Sequence, residues 1–170
     1  MTSIRFYGGV NEIGGNKILV EDRGTKIFFD FGHSFGYGAE YFTGFLTPRA
    51  IKGLGDHFEF GLMPKIPGLY AEEQLATTDL PYREPDIGAV FLSHARFDHV
   101  NHICFVDTKI PVYLGSGTSC SWNRWKRSAP SSITALTTIG RSGLGKRSKS
   151  AAFPWSPSMW TTAYPPPTGS

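Results

Sequence analysis

Short apolar runs separated by glycine-rich turns open the chain. Ile4-Arg5-Phe6-Tyr7 alternates and then meets Gly8-Gly9, the pattern of a strand entering a turn. Lys17 to Glu21 and Lys26 to Phe31 are apolar and β-branched on either side of Asp22-Arg23-Gly24-Thr25, where the glycine supplies a positive-φ position. Three antiparallel strands are predicted, ending at Asp30, an acid at the tip of an apolar run. Ile87 to Leu92 reads as a further strand, continuously apolar as in a sheet covered on both faces. Asp98 to Val106 can open a short helix, and Pro111 to Leu114 can return as the next strand. Residues 33–85 form a long connection in which Tyr41 to Leu46 and Tyr70 to Leu75 are candidate helices. An insertion of that size is expected over the edge of the sheet where Ile87 to Leu92 ends.

The chemistry is concentrated directly after that strand, in His94-Ala95-Arg96-Phe97-Asp98-His99. Imidazole nitrogen and carboxylate oxygen are donors that Zn²⁺ accepts at about 2.0–2.2 Å, and a hydrolytic site needs several of them with a position open for water. On an extended strand end positions 94 and 96 point to one side, and Asp98 and His99 return toward it from the first helical turn. His94, Asp98 and His99 are therefore candidate metal ligands. The plain alternative is a polar cap on a helix start, for which Asp98 is a good residue type. Arg96 stands where a third imidazole is expected; its guanidinium has no lone pair to give and places positive charge beside a cation. It can instead pair with Asp98. Asn16, in the tight turn Glu12-Ile13-Gly14-Gly15-Asn16, can approach the same edge. His102, three residues after His99, reads as a satisfied structural histidine, and His33 and His57 as surface or loop histidines.

The segment DIGAVFLSHARFDH, Asp86 to His99, resembles the strand and ligand loop of the metallo-β-lactamase fold, whose signature is His-x-His-x-Asp-His. Ile4 to Gly32 resembles the opening hairpins of the ribonuclease J and β-CASP branch of that superfamily, and the likeness runs over about residues 3–115. It implies an α/β (α+β) fold, specifically the first half of an αββα sandwich, with one apolar sheet face left uncovered and open to self-association. It also implies a zinc-dependent hydrolase with two Zn²⁺ in intact relatives, acting on RNA or another phosphodiester. Asp98 would then serve the second metal and orient the attacking hydroxide as the catalytic residue, and the Asp30 carboxylate would support the ligand loop from behind, its alternative being an ordinary turn acid. Intact relatives take further ligands from downstream segments that have no match here, so weak zinc binding at most and no turnover are expected. Esters or thioesters of small molecules are the alternative substrates, since the superfamily includes such hydrolases.

Charge divides the chain. Residues 1–107 hold nine Lys/Arg against fourteen Asp/Glu, net −5, whereas residues 108–170 hold eight Lys/Arg and no acid, net +8, together giving the total of +3. All four tryptophans lie in the basic part, which shows neither period 2 nor period 3.6. The expected division is residues 1–120 as the metallohydrolase-like part and residues 121–170 as a basic Ser/Pro/Trp-rich tail without fixed structure, with the composition of translation in a shifted frame. Trp122-Asn123-Arg124-Trp125-Lys126-Arg127, Arg141 and Lys146 to Lys149 offer a competing role, a non-enzymatic protein that binds nucleic acid through phosphate contacts and base stacking. Cys104 and Cys120 match no zinc module. With no apolar run near the ~18 residues of a membrane span, no membrane partner and a cytoplasmic location are expected.

Overall fold

A computed structural model describes residues 1–43 and 46–115, together with the backbone of 135–139 and 147–149. The fold is mixed α/β. Seven strands follow the chain in order across one sheet: β1 Ser3–Gly8, β2 Lys17–Asp22, β3 Thr25–Phe29, β4 Ala89–Leu92, β5 Val112–Gly115, β6 Ala135–Ile139 and β7 Arg147–Lys149. β1 with β2, β2 with β3 and β6 with β7 pair antiparallel, and β3 to β6 are mutually parallel. In the β2–β3 turn both Arg23 and Gly24 take positive φ, the twist that a two-residue hairpin connection requires. Between β4 and β5 the crossover holds α3, Phe97–Val100, continued by a 3-10 turn over Asn101–Phe105.

Period 2 decides which side chains are buried. Leu19, Phe28, Val90, Leu92, Val112 and Leu114 leave one face of the sheet and join Phe31, Leu54, Leu69 and Tyr70 in a single core. The long connection supplies most of the cover, including α1 Gly55–Glu59 and α2 Glu72–Leu75. Its apolar residues thus close the sheet face, and its start, near His33 and Phe35, reaches α3 at the strand tips, where the sequence suggests a flap. No helix is seen over the described part of Tyr41 to Leu46, and α2 falls inside Tyr70 to Leu75. Among the described residues nothing covers the opposite face: Ile4 and Phe6 of β1 and Phe29 of β3 are exposed. The continuous apolar character of Ile87 to Leu92 does not therefore mean burial on both sides, because Phe91 is only half-buried.

Two strands lie beyond residue 120, where the apolar pattern predicts none. Ala135–Ile139 is rich in Thr and Ile, which favour extended backbone, and β5 offers it an edge in parallel register. The remainder of the 121–170 tail lies outside the described residues.

Candidate functional site

Parallel strands β3 and β4 end side by side, and the candidate ligands gather just past their C-terminal ends, where open α/β sheets place their sites. Asp30 follows β3 with φ 56, a left-handed turn that aims its carboxylate across to the loop after β4. Ser93 donates to that carboxylate from its backbone N–H, at 2.8 Å, and from its hydroxyl, at 2.8 Å to Oδ2. The His99 Nδ1 stands 2.8 Å from the same Oδ2. The Ser93 hydroxyl also lies 3.0 Å from His94 Nδ1, and the His94 and His99 rings are 4.0 Å apart between centroids. Partial burial, and after it the neighbouring His99, lower the His94 pKa.

Asp98 lies on the other side of His99, with its Oδ2 3.3 Å from His99 Nε2. Its side chain is 4% exposed, and both carboxylate oxygens accept from Arg96, Nε at 3.1 Å and Nη2 at 3.0 Å. Arg96 occupies the N-cap position of α3 without a side-chain cap bond, so Asp98 is a first-turn acid rather than the cap. The result is one connected series of groups, from Arg96 through Asp98, His99, Asp30 and Ser93 to His94. It brings together His94, Asp98, His99 and Asp30, the four residues singled out from the sequence, and Asn16 reaches it with Nδ2 3.4 Å from His99 Nδ1.

Backbone packing holds this loop against the early hairpins. The Asp98 carbonyl accepts from the Gly15 N–H at 3.0 Å, and the His99 carbonyl from the Phe31 N–H at 2.9 Å. A Cβ on Gly32 would lie 1.8 Å from the Asp98 carbonyl oxygen, so only glycine lets the two chains cross here. Beneath them the buried Lys17 donates to the Gly32 carbonyl at 2.6 Å and the Gly15 carbonyl at 3.4 Å. Burial lowers its pKa to about 8. Sequence reasoning missed Lys17 and Ser93. A lysine at a core-facing, period-2 position beside Leu19 is a usable signal for the first; nothing in the pattern marks the second.

A second group of imidazoles corrects the reading of His57 as a surface or loop residue, while His33 lies in a loop, as read, and is half-buried. His57 is buried on α1 with its ring against those of Tyr37 and His102, which His33 also meets, because the connection folds back over the core. His33 Nδ1 is 3.2 Å from His102 Nε2, and the Tyr37 hydroxyl is 2.5 Å from His57 Nδ1. His102 is structural in position, yet its buried Nδ1 makes no hydrogen bond of acceptable geometry. Burial pushes His33 and His57 down to about 4 and His102 well below the usual imidazole value, the Gly32 carbonyl acting on His102 in the opposite sense. A cavity of about 620 Å³, lined among others by Arg5, Lys26, Arg83 and Asp86, lies at the opposite end of the sheet, away from both groups.

A divalent ion does not fit the site as arranged. The carboxylate oxygens that would ligate it are taken by a guanidinium, which supplies the positive charge in its place. Among the described residues no group of three or more His, Cys, Asp or Glu side chains is disposed to hold a metal ion. Nor is any described helix long and apolar enough to cross a membrane. The basic side chains of the tail lie outside the described residues.

No family model matches the chain, and no curated protein does. Among solved structures it is similar to a protein of unknown function from Enterococcus faecalis V583, with 30% identity and a TM-score of 0.55 over 75% of this chain. The match covers 28% of the Enterococcus chain, so the present chain spans little more than a quarter of that neighbour's length. The likeness supports the mixed α/β fold and assigns no activity.

Proposed function

We propose that this chain carries the N-terminal part of a metallohydrolase of the metallo-β-lactamase type, related to enzymes that cleave phosphodiesters or RNA, and that in its present form it does not turn over such substrates. The observation that carries this reading is the meeting of His94, Asp98, His99 and Asp30 at the C-terminal ends of two adjacent parallel strands. A helix cap alone gives no reason for Asp30, at the end of β3, to meet the imidazoles of the loop after β4. The inactivity follows from Arg96, which removes one donor and occupies Asp98. In-line phosphoryl displacement needs both an activated hydroxide and a stabilised leaving oxygen, and these side chains supply neither.

Zinc titration by calorimetry tests the assignment. Arg96→His adds an imidazole, removes a cation and frees both Asp98 oxygens, so it should bind Zn²⁺ on the order of tenfold more tightly or better than the unsubstituted chain. Equal affinity in the two proteins would show that position 96 does not belong to a metal site. The unsubstituted chain, incubated with labelled single-stranded RNA and saturating Zn²⁺ or Mn²⁺, should release no product. Turnover that a chelator stops and Asp98→Ala abolishes would overturn the inactive reading.

A further inference from the structure

The face of the sheet that the described residues leave uncovered has an order that chance exposure does not explain. Register aligns Phe6, Ile18, Phe29, Phe91 and Tyr113 as one row across five strands. Ile4, Val20 and Ile27 form a shorter row beside it. Over β1 to β5 neither row contains a charged residue, and in register the long row continues through Thr137 to Arg147 on β7. Phe6 is 60% exposed, Ile4 59% and Phe29 44%. Within the long row Phe29 and Phe91 lie 5.8 Å apart between ring centroids, and Phe91 stacks on Tyr113 at 5.0 Å.

The geometry points to this face as the contact between two copies of the chain. The uncharged stretch over β1 to β5 requires no acidic or basic complement, and a twisted sheet packs face to face on its own kind at about −30° and ~10 Å separation. A two-fold axis through the face sets each long row against its equivalent, which closes the assembly at two. From the size of the side chains the exposed apolar area is on the order of 500 Å² per copy. The total of about 1,000 Å² is at the lower limit for a specific interface. The dimer is accordingly weak, with a dissociation constant on the order of 10 µM. This contact is independent of the metallohydrolase reading.

Sedimentation velocity of the full chain between about 1 and 200 µM tests it. The expected result is a concentration-dependent passage from monomer to dimer that stops at two. Phe29→Lys should weaken association at least about tenfold. Ile51→Lys, 89% exposed and outside the sheet, should leave it unchanged. Circular dichroism monitors folding, and Ile4→Lys at the rim of the face serves if Phe29→Lys does not fold. A monomer throughout the range overturns the proposal and leaves the face to residues 116–134 or 150–170 of the same chain or to another protein. Association that Phe29→Lys and Ile4→Lys leave intact, or that grows without limit, also overturns it.

Discussion

His99 and His102 stand three residues apart on one short helical segment and belong to opposite chemistries. His99 lies between two carboxylates, Asp30 and Asp98, each of which has a further partner in Ser93 or Arg96. His102 faces His33 and Tyr37, and the acid that acts on its group, Asp56 upon His57, is itself held by Arg49. Position along the helix does not separate them; the strand tips do. The loop after β4 meets the acid at the end of β3, whereas the next turn drops into the core beneath the long connection. One imidazole group is therefore built to be polar, and the other is held neutral by burial.

The largest consequence is a stability that depends on acid and originates mainly in the buried group, since His94 in the other is only slightly buried. In the unfolded chain these imidazoles take up protons near 6.5, and in the folded chain His33 and His57 do so near 4. Between those values the unfolded state binds more protons. Stability is therefore fully present above pH 6.5 and falls as the pH is lowered toward 4. The loss is about 3 kcal/mol per imidazole at pH 4, a large part of the stability of an ordinary domain. Urea unfolding at a series of pH values measures it. His57→Gln removes one of the two groups and should make the acid decline shallower; the same decline in the variant would place the acid sensitivity elsewhere.

Gly32 joins the two groups, since it separates Phe31 from His33 and lies under the Asp98 backbone. In Gly32→Ala the new methyl meets the Asp98 carbonyl oxygen at 1.8 Å and the His99 nitrogen at 2.6 Å, both main-chain atoms that no rotamer change can move. The loop and the hairpin must part, at a cost of about 3 kcal/mol. Thermal unfolding measures that loss. A melting temperature unchanged by the substitution would mean that the loop is not seated on β3 as described.

The three opening strands, the strand before His94 and the return at β5 are legible in the sequence because local period 2 and turn residues specify them. The short α3 is legible as well, from its position after the ligand loop. The grouping of His94, Asp98 and His99 can be read from spacing within six residues. For Asp30 the sequence leaves a turn acid and a support for the loop equally open, and the structure combines them: the left-handed turn is what directs the carboxylate to Ser93 and His99. The burial of His57 and the half-burial of His33 are illegible for a physical reason. They depend on contacts 45 to 69 residues away along the chain, made by a connection with no period of its own, so no local window reveals them. The face that the described residues leave uncovered is equally silent, since Phe29 and Phe28 look alike until the register assigns them to opposite sides.

The smallest expected effect concerns the polar group alone. Arg96→Ala removes both hydrogen bonds to Asp98, leaving a carboxylate that is 4% exposed with His99 Nε2 at 3.3 Å as its remaining side-chain neighbour. Full loss of a partner from a buried ion pair costs about 3–5 kcal/mol. Arg96 is 63% exposed, however, so water screens much of the pairing in the intact protein and reaches the place the guanidinium leaves. The expected loss is about 1 kcal/mol, seen as a lower urea midpoint with an unchanged slope. A cycle with Asp98→Asn should return a coupling of similar size. A loss near 3 kcal/mol would show that His99 and water do not take over from Arg96, so that charge pairing is the main support of the loop. No loss at all would mean that the backbone contacts to Gly15 and Phe31 hold the loop unaided, and the contrast between a charge-held and a burial-held histidine group would disappear.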